Sequence, residues 1–257
     1  ITEGLVGSEM CIRDSTRREV TLPKNSSRHL VSVLRMKLGQ SAILFNGEGG
    51  EFIGKLTNAS KTNSTVLIDG FSAVEKESNL KIHLAIGVSK GDRMDWIIQK
   101  ATELGVTEIS PIFTGRTEVK LSGSRLDKKL SHWQQIAISA CEQSQRNRVP
   151  SINPILSFDA WLKLKHNGLK LLMNHLGDLG LSETSPKDQH IVLLVGPEGL
   201  SENEICVAEA SGYTSVSMGP RILRTETAPV AALSILQSLW GDICLLYTSP
   251  SPRDLRL

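Results

Sequence analysis

Two neighbouring segments constrain this chain most: "IVLLVGPEGLSENEI" (Ile191 to Ile205) and "TSVSMGPRILRTETAPVAALSIL" (Thr214 to Leu236). Each runs from an apolar strand through Gly-Pro and a charged residue into a helix. A fold that repeats this unit places two stiff loops at the carboxyl edge of a parallel sheet, where open α/β sheets bind ligands. Glycine lets a ligand approach the main chain, while proline fixes φ and removes one N–H donor. Such loops suit an adenosine-bearing ligand held by backbone contacts. Ser201 and Glu204 have the spacing of a capping box, which predicts a helix starting just after the first loop. One Gly-Pro turn would be only a tight connection. Two in consecutive units, with Arg224 and Glu226 beside the second, define a candidate site.

Upstream, strands and helices alternate from Leu80 onward, the signature of a mostly parallel sheet covered on both faces. "KIHLAIGV", "EISPIF", "LKLLMN", "HIVLLVG" and "TSVSMG" read as strands, and "DRMDWIIQKATELGV" as a helix. A longer helix from Ser124 to Gln145 carries Leu126, Leu130, Trp133, Ala137 and Ala140 at helical spacing, which predicts Trp133 in the core. A last helix runs from Glu226 to Trp240. Between Glu19 and Glu75 the texture is different. "SAILF" and "EFIGKL" flank the glycine-dense "NGEGG" as a hairpin, "STVLIDGFSAV" supplies another strand, and "NSSRHLVSVLRM" predicts a short helix capped by Asn25 or Ser26. This is a small β module of binding-appendage size, joined to the α/β part by "EKESN".

With 257 residues, 40% hydrophobic and 22% charged, the chain has enough apolar surface for two domains. No apolar run approaches the roughly 18 to 20 residues of a membrane span, so a cytoplasmic location is expected. Cysteines at 11, 141, 206 and 244 form no CxxC pair, and the six histidines no HExxH, so neither a disulfide framework nor a metal site is indicated. GxxxxGK[ST], a strand-following GxGxxG and the GxSxG elbow are absent. The formal charge of +2 is small, yet Arg17, Arg18, Lys24, Arg28, Arg35 and Lys37 cluster early, and Arg146 and Arg148 close a later helix. These suit either a solvated face or RNA phosphate. "VGSEMCIRDS" and "CLLYTSPSPRD" read as translated sequencing adapters, with ATGTGTATAAGAGAC encoding MCIRD; natural tails are the alternative.

At this point "LLVGPEG", "MGPRILRTETA", "KGDRMDWIIQKATELGV" and "ACEQSQRNRVP" closely resemble the bacterial 16S ribosomal RNA uridine-N3 methyltransferases of the SPOUT class. The resemblance covers nearly all of Glu19 to Asp242. It implies a PUA-like RNA-binding barrel over 16–76 and a trefoil-knotted α/β SPOUT methyltransferase domain over 79–243, leaving 1–15 and 244–257 as adapter-derived. It further implies a homodimer acting on 16S ribosomal RNA or the small ribosomal subunit, without membrane or metal. S-adenosyl-L-methionine would lie against Leu172, Asn174, Val195, Gly196, Pro197, Glu198, Gly199, Met218, Gly219, Ile222, Leu223 and Arg224. The family usually has GPEGG, whereas Gly199 here is followed by Leu200. Arg224 would stabilise charge on the uracil, and Glu226 would accept the N3 proton or orient Arg224. Arg28, Arg35, Arg146, Arg148 and Arg221 would contact RNA. The rival class is a non-catalytic RNA-binding protein with structural Gly-Pro loops; a weaker third is a hydrolase or kinase acting on a phosphate-bearing ligand.

Overall fold

The computed structural model describes residues 4–6, 19–117, 123–197 and 199–243. The chain divides into two compact units, one over Ile1–Glu77 and Ile138–Val149 and the other over Ser78–Ala137 and Pro150–Leu257.

The first unit holds β1 (Gly4–Val6), β2 (Glu19–Thr21), α1 (Lys24–Arg28), β3 (Ser41–Phe45), β4 (Glu51–Asn58) and β5 (Thr65–Ser72). Its sheet order is β1-β3-β4-β5-β2, antiparallel except where β1 lies parallel to β3. The expected hairpin is β3–β4, with Leu44 opposite Phe52. Strand β4 buries every second residue, as a one-sided sheet requires, and Val20, Leu22, Leu30, Leu44, Leu56 and Val66 fill the space beneath. Gly4–Val6 falls inside the stretch read as adapter-derived, and it pairs beside Ile43–Phe45. The short helix starts at Lys24, ahead of the expected caps, with Pro23 at its N-cap and no side-chain cap bond. The serines serve tertiary contacts instead: the buried Ser27 hydroxyl donates to Leu22 O at 3.0 Å and accepts from Ser64 N at 2.9 Å. The following π-helical turn, His29–Val33, ends near Arg35 at φ +52°.

The second unit is an α/β domain. Its elements are β6 (Lys81–Gly87), α2 (Asp92–Glu103), β7 (Glu108–Phe113), α3 (Ser124–Ser144), β8 (Ser151–Ile152), β9 (Leu156–Ser157), α4 (Phe158–Leu162), β10 (Leu169–Met173), β11 (Leu179–Gly180), β12 (His190–Val195), α5 (Glu202–Ala210), β13 (Thr214–Ser217) and α6 (Thr227–Trp240). The last residues of α3, from Ile138, belong to the first unit. The sheet order is β11-β13-β10-β12-β6-β7-β8, with β9 pairing β7, and every pair is parallel. Central strands β6 and β12 are buried along almost their whole length, which is why apolar residues dominate both instead of alternating, with His83 the polar exception inside β6. Helix α2 buries Met94, Ile97, Ile98 and Ala101 at helical spacing. Trp133 is in the core as expected, its Nε1 donating to Asp95 Oδ1 at 3.0 Å.

A polar cluster sits toward the amino end of the sheet. His83 Nε2 lies 2.7 Å from Ser110 Oγ and His83 Nδ1 3.5 Å from Glu108 Oε2, while Asn153 Nδ2 donates to Glu108 Oε1 at 2.6 Å and Ser110 Oγ at 2.8 Å. Burial pushes the His83 pKa down to about 4, opposed by the Glu108 carboxylate and reinforced by His166. The folded state thus holds His83 neutral while the unfolded chain takes up a proton near 6.5. Stability is therefore complete above about 6.5 and declines as pH falls toward 4. Urea unfolding across this window is expected to show that decline, and His83→Gln to flatten it; an equal slope in the variant would remove His83 as the cause.

Candidate active site

Strands β12 and β13 both hydrogen-bond to β10, with Leu172 beside Leu194 and Met173 beside Val216. Two interstrand spacings separate their carboxyl ends by roughly 10 Å. The two Gly-Pro loops consequently face each other across the tip of β10. They enclose a cavity of about 850 Å³ whose wall includes Met173, Asn174, Val195, Gly196, Gly199, Leu200, Met218, Gly219, Leu223, Arg224 and Glu226. That size is in the range of cofactor sites, and the mix of apolar wall with a few polar groups is typical of them.

Local sequence explains the shape. A Cβ at Gly196 would lie 2.5 Å from Gly199 C and 2.8 Å from Leu200 N, so only glycine lets the first loop fold this tightly. Gly219 has φ +99° with open space where a side chain would point. The Thr225 hydroxyl donates to Pro197 O and joins the second loop to the first. Ser201 and Glu204 form the expected capping box, worth about 0.5–2 kcal/mol at such positions. Glu204 does more than cap. Its Oε1 accepts from Gly115 N at 2.7 Å and its Oε2 from Ser201 N at 2.9 Å, tying the loop after β7 to the start of α5. Burial raises the Glu204 pKa, but the bonds from Gly115 and Ser201, with Arg116 nearby, outweigh it and hold the carboxyl below its usual value.

Of the residues expected to hold cofactor, Asn174, Val195, Gly196, Gly199, Met218, Gly219, Ile222, Leu223 and Arg224 share the cavity wall. The Asn174 side chain also accepts from Leu176 N at 3.1 Å, stiffening the turn after β10. Leu172 does not reach the wall: it is fully buried in the core, and strand alternation turns its neighbour Met173 outward instead. Pro197 lines a smaller adjoining hollow, pressed against Gly87. Glu198 lies outside the described residues. Glu226 is the N-cap of α6 and makes no side-chain cap bond, and Pro229 falls in the first turn of that helix. Among the described residues no ion pair joins Glu226 to Arg224, so the structure does not form the orienting pair expected between them.

The arginines expected to meet RNA separate into groups. Arg28 and Arg35 are exposed on the first unit, and Arg221 lines the cavity. Arg148 is half-exposed, and its Nε donates to Glu75 Oε2 at 2.8 Å. Arg146 must be withdrawn as an RNA contact. It is buried, and its guanidinium pairs with Glu77 through Nε at 2.9 Å and through Nη2. Removing one member would strand a buried charge, which makes this a structural pair. Arg93 and Arg116 were missed by sequence reasoning although both line the cavity. The signal was present: "GVSKGDR" and "FTGR" repeat the pattern of strand, glycine and charged residue at two further strand ends.

A parallel α/β sheet with two glycine loops closing one cavity, in a chain that also has a compact β unit, is the organisation of an RNA methyltransferase. The family model of the RNA methyltransferase domain matches residues 76–237, and that of the RNA methyltransferase PUA domain matches 22–69. The chain belongs to the ribosomal RNA small subunit methyltransferase E family. It is 36% identical over 219 residues to the protein of that name from Bacillus subtilis, an alignment covering 81% of this chain and 85% of the relative. The crystal structure of ribosomal RNA small subunit methyltransferase E from Neisseria gonorrhoeae, bound to S-adenosyl methionine, superimposes with a TM-score of 0.88 at 39% identity and covers 95% of this chain and 100% of that one. A Legionella pneumophila protein solved with bound cofactor SAM gives a TM-score of 0.84 at 35% identity, over 95% of this chain and 99% of that one. The catalytic reading is therefore favoured over a purely RNA-binding one. Among the described residues no helix is long and apolar enough to cross a membrane, and no cluster of His, Cys, Asp and Glu could hold a metal ion.

Proposed function

We propose that this protein methylates N3 of a uridine in 16S ribosomal RNA of the small subunit, using S-adenosyl-L-methionine. The observation that carries this reading is the convergence of Val195, Gly196 and Gly199 with Met218, Gly219, Leu223 and Arg224 on one cavity. When bound, the cofactor supplies a methyl group activated by a sulfonium. Gly196 and Gly219 give backbone close to the ligand, Met173, Leu200 and Leu223 provide apolar cover, and Asn174 supplies a polar contact. Holding nucleophile and methyl group in line contributes about 7–11 kcal/mol of barrier lowering.

The remaining difficulty is that uracil N3 keeps its proton at neutral pH. Arg224, directed at a uracil carbonyl, stabilises the anion left when that proton goes, and each unit of acidity gained is worth about 1.4 kcal/mol. Glu226, on the same wall, accepts the proton or, once substrate is bound, orients Arg224. Arg221, Arg28, Arg35 and Arg148 contact the RNA chain. Ile222 and Leu176 are 80% and 74% exposed at the cavity, apolar surface that supports a second copy of the chain covering this edge. The same reading includes a homodimer, a trefoil knot around the loops and a cytoplasmic setting among ribosomes.

Mass mapping of 16S ribosomal RNA from a deletion strain, with and without this chain, tests the activity: a methyl group on uridine N3 should return with the chain. Calorimetry with S-adenosyl-L-methionine separates it from a pure RNA binder, which would show no cofactor affinity. We further propose that 16–76 and 79–243 are the RNA-binding and catalytic domains and that 1–15 and 244–257 are adapter-derived. A chain trimmed to 16–243 is then expected to keep its thermal midpoint and its methylation rate. Loss of either would make the Gly4–Val6 strand a native part of the first sheet.

A further inference from the structure

Strand alternation puts Lys81 and His83 of β6, Glu108 and Ser110 of β7, and His190 and Val192 of β12 on one face of the parallel sheet, at its amino end. Further along, the same strands are apolar, with Leu84, Ile86, Leu193 and Leu194 fully buried. The polar floor departs from that pattern, as functional positions do. A ring of hydrogen bonds holds it. Asn153 Nδ2 donates both protons, to Glu108 Oε1 at 2.6 Å and to Ser110 Oγ at 2.8 Å, so the Ser110 hydroxyl turns its own proton to His83 Nε2. His83 then carries its proton on Nδ1, 3.5 Å from Glu108 Oε2. The Glu108 side chain is 39% exposed, and its carboxylate keeps lone pairs for an outside donor. Over this floor opens a cavity of about 430 Å³, whose other walls include Trp161, Leu164, Lys165, His166 and Asn167. Trp161 and His166 stack at 4.3 Å as an aromatic side wall. Lys81 and Lys165 are exposed, and among the described residues neither makes an ion pair.

We propose that this cavity binds a guanine nucleotide. Lys81 and Glu108 are diagonal neighbours on adjacent strands, roughly 8 Å apart at Cα, so a ligand joining them carries its donors and its anion at opposite ends. Guanine alone among the RNA bases presents two adjacent N–H donors on its Watson–Crick edge, and these match the two oxygens of one carboxylate. Adenine, cytosine and uracil each offer a single donor group there. The base lies along the Trp161–His166 wall, since aromatic and imidazole rings stack on bases, and the phosphate meets the Lys81 and Lys165 ammonium groups at the rim. The nucleotide is free in solution or an unpaired guanosine of an RNA strand; both present the same edge and the same anion. This site stands apart from the methyltransferase reading. His190 at one end of β12 lines it, and Val195 at the other end, roughly 17 Å away, lines the cofactor cavity.

Calorimetry on the full-length chain with GMP, AMP, CMP, UMP and guanosine tests this. GMP is expected to bind about ten- to a hundredfold more tightly than the other three nucleotides, the usual effect of one hydrogen bond to a charged group. Glu108→Gln should lower GMP and guanosine affinity alike and erase the preference for guanine. Lys81→Ala should weaken GMP about tenfold and leave guanosine unchanged. Because Lys81 is exposed, its removal should not move the thermal midpoint, so this variant decides the matter even if Glu108→Gln fails to fold. Affinity for S-adenosyl-L-methionine should be the same in both variants and wild type. Displacement of GMP by the single-stranded RNA UUGUU but not by UUAUU assigns the site to RNA guanosine, and no displacement by either assigns it to the free nucleotide. Failure of GMP to bind, equal binding of all four nucleotides, displacement by both RNAs, or GMP binding that survives Lys81→Ala unchanged overturns the proposal.

Discussion

Arg224→Ala is expected to lower the single-turnover rate of methyl transfer about 10²- to 10³-fold at saturating cofactor, the usual loss when a preorganised donor to a developing anion is removed. The expectation follows from position. Arg224 lies on the cavity wall with Gly219 and Glu226, and its backbone carbonyl accepts the first hydrogen bonds of α6, from Thr227 N at 2.9 Å and Ala228 N at 3.0 Å. Its Cα is thus fixed by the helix start while its side chain is left for the substrate. Cofactor affinity should fall far less than the rate although Arg224 also lines the cofactor wall, so a loss of cofactor binding in proportion to rate would confine Arg224 to holding the donor. Unchanged transfer would remove it from the chemistry. Glu226→Gln distinguishes the two roles of the carboxylate. If Glu226 takes the N3 proton, the pH–rate profile loses its acidic limb; if it only orients, the rate falls without a change in profile.

Gly196→Ala is expected to weaken S-adenosyl-L-methionine binding by roughly ten- to a hundredfold, corresponding to about 1–3 kcal/mol for forcing a methyl group into a filled space. The added carbon would meet main-chain atoms of Gly199 and Leu200, which cannot swing away as a flexible side chain can. The first loop must then shift as a body and deform the cavity wall. Gly219→Ala is a useful contrast, because its Cβ meets nothing within 4 Å and the cost comes only from a φ of +99°. Calorimetry of both variants, with unfolding measured alongside, checks the claim. Equal affinities for Gly196→Ala and wild type would mean that the first loop does not approach the ligand closely.

Much of this was legible in the residues. Continuous apolar runs at Leu84–Ile86 and Ile191–Val195 belong to strands buried on both faces, and period-two burial in Glu51–Asn58 belongs to a sheet with one wet face. Loop chemistry located the cavity because the same Gly-Pro and charged-residue unit recurs at two strand ends. Strand order was not legible, since neighbours are set by how the domain closes rather than by local pattern. The sequence therefore does not show that β10 lies between β12 and β13, and this hides the choice between Leu172 and Met173: the two alternate across the sheet, and only the sheet's position tells which side is cavity. Arg146 illustrates the same limit. A charged residue ending a helix reads as solvated, and its burial depends on Glu77, 69 positions away. The caps expected at Asn25 or Ser26 failed because the helix starts earlier, at Lys24 behind Pro23, which puts both residues inside its first turn.

The Glu204 carboxylate is the feature with the widest reach. It bonds two stretches 89 positions apart in sequence, one bearing Arg116 and the other opening the helix behind the first Gly-Pro loop. Neither the donor nor the nucleic acid needs to touch it. Still, a neutral or shortened side chain there would loosen both walls together, so that methyl-donor affinity and RNA affinity should drift in concert across substitutions at this position. Evolution or an engineer could thus retune the enzyme's two ligands from a single remote point.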